Sequence, residues 1–566
     1  MRLLAFLSLA TLLVACSQPE KAREREGKGG KYYGGVFNAN EAQELRGLFP
    51  LGLVQAASHR IAAQVYEGLV RFDQKDLSIK PALADSWTMD ETGTVYTFRL
   101  HPGVRFHDDT CFADGVGREF TAQDVVESFT ALCSHDPLNQ LFWLFQDKVL
   151  GANAQYAATV SGKPSPGVKG VEAVDPLTVR ITLTAPWPSF LQILAHQGTW
   201  IFPKELVAFY GAEAQWHMVG TGPFRLKTHI KGEVLVLERF SDYWGKDEEG
   251  NSYPFLDAVR YTFVKDKLVE LEEFQGGHLS VIYELPVDRT DVLSAASGSQ
   301  VQTIPGLTVQ FYGFNMRTPT FTDVRVRRAF SMAIDRQLLV DSVLNGLAVP
   351  ATRGVVAPGF EDYPYQQVPT VAFDPQAAKR LLAEAGYADG KGFPAVHIQV
   401  NNDGFGYVRI AERVQAMLEQ NLGVRVVTSV LPADQHYERV EMGRAQFWRE
   451  GWIVDHPDPE NFLALFYGKS VPADTTVPSY LNSTRYKNAR FDSLFTEALR
   501  TAETSKRMDL LARAERQMME DMVVVPLYHE RSVRLLQPWV RDLPINGMEY
   551  RDLRGVWFDP EARTGH

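Results

Sequence analysis

The sequence predicts an α/β protein of more than one domain, and three observations carry that prediction. The chain has 566 residues, 45% of them hydrophobic, which is more than one ordinary core absorbs. Its second half holds a strand, a helix and a second strand within about 35 residues, the length of a βαβ unit. Its first half is instead rich in short alternating runs that read as antiparallel strands.

In chain order, VYTFRL, LTVRITLTAP, EVLVLERF and AVRYTFV are the strand candidates of the first half. Gly220-Thr221-Gly222-Pro223-Phe224 marks a tight turn between them. Asp323 is placed to begin one long helix that ends at Gly346. Asp374 and Pro375 form an N-cap and first-turn pair for a helix closed by Gly386. VHIQV (396–400) alternates as a strand. Tyr407 to Leu422 follows with Val408, Ala411, Val414, Leu418 and Leu422 at helical spacing, and Gly423 as its cap. VRVVTSV (424–430) completes the unit. Met508, Leu511, Ala512, Met518 and Met519 line one face of a late helix, a pattern that suits core packing.

The first residues address the chain to the cell envelope. Arg2 precedes an apolar run from Leu3 to Ala15, too short to span a bilayer and shaped like a signal peptide (1–15). Leu13-Val14-Ala15-Cys16 looks like a lipobox, in which a thiolate at Cys16 accepts the lipid. Residues 16–35 are charged and glycine-rich and read as a flexible tether. A lipid at Cys16 would hold an otherwise soluble body at the extracytoplasmic membrane face. Cys111 and Cys133 remain, and a pair of cysteines in an exported chain suggests a disulfide, with two buried thiols as the alternative.

The chemistry of known catalytic motifs does not fit. There is no GxSxG nucleophile elbow. Gly468-Lys469-Ser470 resembles the end of a P-loop, but the required earlier glycine is Leu463. His529-Glu530 lacks the second histidine of HExxH. His456, Asp458 and Glu460 are metal-ligand types, yet Pro457 and Pro459 make a loop of them. The net charge is −11 with no basic stripe, which argues against nucleic acid. The reading is a non-enzymatic protein without cofactor or metal.

Several segments, taken in order, carry a resemblance. They include YEGLVRFD (66–73), PALADSW (81–87), YTFRLHPGVRFHD (96–108), FTAQDVVESF (120–129), GTGPFRL (220–226), FDPQAAKRLLAEAGY (373–387) and GWIVDHPDPENFL (451–463). Together they resemble the family 5 extracellular solute-binding proteins, the dipeptide- and oligopeptide-binding components of ABC transporters. The resemblance implies a periplasmic-binding-protein-like two-lobe fold (type II, cluster C) with an additional inserted α+β domain. Lobe I would comprise 36–63, 215–305 and 525–566, the insert 64–214, and lobe II 306–524. A monomer would enclose a peptide between the lobes by hinge closure and deliver it to a permease.

The same resemblance places the site. Asp455, last of Trp452-Ile453-Val454-Asp455, would pair with the peptide's ammonium, since a charge taken from water needs a counterion. The backbone of Gly451 to Val454 would add the peptide as a strand, with Trp452 as a side-chain wall. Tyr312 would face the cleft or fill a buried strand position. Ala56 and Ala57 match a loop that offers backbone from lobe I. Asp455 capping a turn ahead of Pro457 is the plainer alternative. His456 stands where relatives often carry tyrosine, and the segment between His107 and Thr121 lengthens a loop. Non-peptide ligands, such as an oligosaccharide, opine or metal chelate, and a surface hydrolase remain competing readings.

Overall fold

A computed structural model describes residues 25–43, 45–283, 300–360, 362–402, 406–474 and 476–563. The leader and Cys16 lie outside the described residues. Among the described residues no helix is long and apolar enough to cross a membrane.

Three sheets organise the chain. Ala84–Met89, Val95–Leu100, Thr178–Thr182 and Val171–Asp175 form one antiparallel sheet in that spatial order. A second sheet is the meander Phe224–Ile230, Val234–Arg239 and Ala258–Thr262. Val36–Asn40 joins it in parallel with Ala258–Thr262, an arrangement that the local pattern of alternating residues does not specify. It stitches the start of the body to residues more than 200 positions later. The Gly220–Gly222 turn packs directly on the turn that follows the helix Ala56–Ala62: Gly222 N donates to Val65 O at 2.9 Å. A Cβ at Gly220 or Gly222 would collide with that carbonyl.

The third and largest sheet is organised by one long strand, Val524–Leu536. Its first part pairs with Thr308–Phe314, and its last part with Val281–Tyr283 and Gln300–Pro305. Thr308–Phe314 then pairs with Phe447–Ile453, and Val396–Asn401 and Val426–Leu431 follow as parallel strands. The βαβ unit forms as expected, with the helix Tyr407–Leu422 ending at Gly423 in the left-handed region, φ 71°. Its buried face carries Ile410, Ala411, Val414, Met417, Leu418 and Leu422. Asp374 caps its helix by accepting from Ala377 N at 2.9 Å. The late helix Thr504–Glu520 buries the methionine face. The result is the two-lobe α/β fold that the resemblance implies.

Three expectations differ. The helix predicted from Asp323 to Gly346 is two helices, Val324–Met332 and Arg336–Ser342. Asp335 starts the second by accepting from Leu338 N, so the acidic side chain that looked interior to one helix is a cap.

The predicted tether is ordered from Arg25 onward. Arg25–Glu26 pairs with Tyr32–Tyr33, and Lys28 N donates to Asn251 Oδ1 at 2.8 Å. Tyr33 supplies the apolar anchor that composition alone underweighted: it is buried, with its ring 4.8 Å from Phe255.

Cys111 and Cys133 are free thiols, both buried, and no disulfide joins them. The long loop between His107 and Thr121 is fastened by charge instead. Arg118 holds Asp124 at 2.6 Å and Glu205 at 2.8 Å, and Tyr210 donates to Asp109 Oδ1 at 2.9 Å.

Candidate functional site

The strand Phe447–Ile453 builds one wall of the site. Its pairing with Thr308–Phe314 sets Ile453 opposite Thr308, Trp452 opposite Val309 and Gly451 opposite Gln310. Val454 N donates to Leu307 O at 3.1 Å, so its amide is committed to the sheet rather than offered to a ligand. Antiparallel alternation then turns the backbone groups of Gly451 and Ile453 toward the strand's other edge. On that edge, Val396–Asn401 pairs only with Phe447 and Trp448. His436 Nε2 occupies Arg449 O at 3.0 Å. Among the described residues the edge is therefore open from Gly451 on, which suits addition of an extended chain.

Gly451 is required by its neighbours and not by its own backbone. A Cβ there would come closer than 3.0 Å to the side chains of Gln310 and Arg449, which lie across it. Arg449 is buried, donates from Nε to Gln310 Oε1 at 3.1 Å, and stacks 3.5 Å over the Tyr407 ring. Its other hydrogen bonds go to Asn401 and Tyr437, both neutral. Glu530 is reached through Gln310, whose Nε2 donates to it at 3.1 Å. Sequence reasoning passed over Arg449. The available signal was an Arg449-Glu450 pair placed just before a glycine in a strand whose other side chains are apolar.

Trp452 is half-buried and donates from Nε1 to Asn461 Oδ1 at 2.7 Å. The same oxygen accepts from Asp455 N at 3.0 Å, so Asn461 fixes both the ring and the turn that carries the carboxylate. Asp455 keeps 22% of its side chain exposed and faces His196 Nε2 at 3.5 Å. His196 follows the helix Phe190–Leu194, so this contact joins two segments far apart in the chain. No described N–H of the following turn bonds the Asp455 carboxylate. Asp458 is the cap there, accepting from Glu460 N at 2.8 Å. Burial pulls the Asp455 carboxyl up, but His196, His456 and His59 outweigh it and hold it below the ordinary carboxylate range.

Those three histidines come from three parts of the chain. His59 lies on the helix Ala56–Ala62, packed 5.5 Å from the Trp200 ring, and burial together with His196 pushes it down to about 3. Ala56 and Ala57 open this helix, the first half-buried and the second buried, with amides that no earlier turn accepts. Tyr312 is fully buried against Phe447, ring centroids 5.2 Å apart, and so takes the strand-core position. A second contact joins the same two parts of the chain: Ser189 donates to Glu460 Oε2 at 2.9 Å. Arg507 grips Asp458 and Glu460, each at 2.7 Å, so the acidic loop that resembled a metal-ligand set is an ion-pair cluster.

A two-lobe α/β fold built around one long shared strand defines the class as that of the periplasmic binding proteins. The chain belongs to the bacterial extracellular solute-binding proteins, family 5, whose middle-region model matches residues 78–474. It is similar to the periplasmic oligopeptide-binding protein OppA of Salmonella typhimurium, 27% identical over 515 residues that cover 88% of each chain. It is equally similar to the glutathione-binding protein GsiB of Salmonella paratyphi A, 27% identical over 523 residues, 91% of this chain and 90% of that one. The solved murein tripeptide binding protein MppA of Escherichia coli matches with a TM-score of 0.79 at 26% identity, covering 93% of this chain and 98% of its own. An unliganded open form of MppA matches less closely, TM-score 0.67, in keeping with lobes that touch here.

Proposed function

We propose that this protein is a lipid-anchored extracytoplasmic receptor that captures peptides by their free amino end and passes them to an ABC permease. The observation that carries the reading is Asp455: a carboxylate held ionised, uncommitted to the local turn, beside an open strand edge. A peptide ammonium there would replace the weak histidine contacts with charge-assisted hydrogen bonds in a site closed to water. Its main chain would run along Gly451 and Ile453, which reads backbone and leaves the sequence largely free. Arg449, a buried cation that hydrogen-bonds to neutral groups and has the Glu530 carboxylate behind Gln310, lies further along the same strand. Relatives named for oligopeptides, glutathione and a murein tripeptide support a peptide-like ligand. Anchoring at Cys16, action as a monomer, the division into lobes 36–63 with 215–305 and 525–566, 64–214, and 306–524, and the permease partner belong to the same reading.

Native mass spectrometry of protein purified without denaturation tests it. A co-purified peptide with a free α-amine is the expected result. A bound sugar or metal complex would overturn the reading.

A further inference from the structure

The wall beside Asp455 is lined by hydrogen-bond donors that find no acceptor. Gly198 N donates to His196 Nδ1 at 3.0 Å, which puts the neutral ring's proton on Nε2. That Nε2 sits 3.5 Å from Asp455 without hydrogen-bond geometry. Asn461 has its oxygen occupied by Trp452 and Asp455, so its nitrogen donates to His456 Nδ1 at 3.2 Å. His456 therefore also carries its proton on Nε2. This N–H is buried without a partner among the described residues, as are the indole N–H groups of Trp143 and Trp187.

Trp143, His196, Lys148 and Trp187 form one run of contacts, and His456 follows Asp455 directly in the chain. The Trp143 ring lies 5.8 Å from His196, and Lys148 donates to Trp143 O at 3.1 Å. The Lys148 ammonium is 4.9 Å from the Trp187 ring. Ser189, two residues beyond Trp187, reaches Glu460. The nearby acids are already engaged: Glu460 by Arg507 and Ser189, with Lys148 close enough to feel its charge, and Asp458 by Arg507. Gln192 Oε1, on the helix Phe190–Leu194, is a buried acceptor without a partner, and an amide can turn to present its nitrogen instead. Each buried donor left unmade costs about 1–3 kcal/mol, so four in one wall fit a bound acceptor rather than packing.

We propose that this wall is an anion subsite for the first residue of the bound peptide, selecting peptides with a carboxylate at the amino end: an acidic first residue or a γ-glutamyl group. Asp455 holds the ammonium, and the donors of His196, His456, Trp143, Trp187 and the Lys148 cation hold the carboxylate next to it. The proposal rests on the peptide reading above and narrows its substrate class.

Isothermal titration of the mature chain, freed of co-purified ligand, with Glu-Ala-Ala, Gln-Ala-Ala and γ-Glu-Ala-Ala tests it. The Gln and Glu side chains are nearly isosteric, so their ratio reports the charge. At least about tenfold tighter binding of one of the two acidic peptides than of Gln-Ala-Ala is expected. Lys148→Gln should cut that ratio severalfold. Gln-Ala-Ala bound as tightly as both acidic peptides overturns the subsite and leaves the peptide reading standing. A ratio unchanged in Lys148→Gln overturns the wall as its origin. No binding of any of the three, by protein with an intact melting transition, overturns the peptide reading and the subsite together.

Discussion

His196 Nε2 lies 3.5 Å from Asp455 Oδ1, and the two residues come from segments far apart in the chain. Their tethers differ in stiffness. His196 is buried and pinned through Nδ1 by Gly198 N, whereas Asp455 keeps 22% of its side chain exposed and is held through its backbone by Asn461. The carboxylate is the member free to change partner.

Gly451→Ala places a methyl group against Gln310 and Arg449. Both side chains must move, and Arg449 then loses its bonds to Gln310. A stability loss of about 1–3 kcal/mol is expected in urea unfolding, with weaker peptide binding. Unchanged stability would mean that Arg449 repacks freely.

Arg507→Met leaves Asp458 and Glu460 buried without their cation. Removing one partner of a buried ion-pair cluster costs about 3–5 kcal/mol. The expected signs are a lowered melting temperature and a smaller difference between the ligand-bound and ligand-free melts, since Glu460 also receives Ser189 from a distant part of the chain.

Acid should weaken the fold before carboxylates begin to titrate. His107, His436 and His529 are buried, and burial pushes each down to about 4. They are neutral when folded and ordinary when unfolded, so their contribution is complete above about pH 6.5 and falls as pH drops from there toward 4. Each is expected to lose about 2 kcal/mol between pH 6.5 and 5. His529→Asn, which keeps a donor toward Thr308 O, should flatten the pH dependence of melting over that range.

Cys111 and Cys133 are buried thiols pushed up to about 12, chiefly by burial. Peptide mapping without reductant, after alkylation in denaturant, should find both alkylated. Reductant should leave the melting temperature unchanged. A linked Cys111–Cys133 peptide would contradict the structure.

Local pattern carried much of this fold. Periodicity and caps located the helix Tyr407–Leu422 and its flanking strands, because side chains there alternate between core and solvent. The break at Asp335 was hidden, since an acid is as ordinary inside an exposed helix face as at a cap. The parallel addition of Val36–Asn40 and the ordering of Arg25–Tyr33 depend on partners hundreds of residues away, which no window of sequence displays. At the candidate site, the resemblance pointed to the Trp452–Asp455 segment. His59, His196 and Arg449 were not, because each acquires its role by approach of distant elements.

The central claim is that Asp455 is the counterion of a peptide ammonium. The direct measurement is the affinity of one tripeptide, free and N-acetylated, for the wild-type protein and for Asp455→Asn. The account predicts that the wild-type protein binds the free form tighter by about 2–4 kcal/mol, and that Asp455→Asn abolishes most of that difference while still binding the acetylated form weakly. Equal affinity of the wild-type protein for the two forms would contradict it.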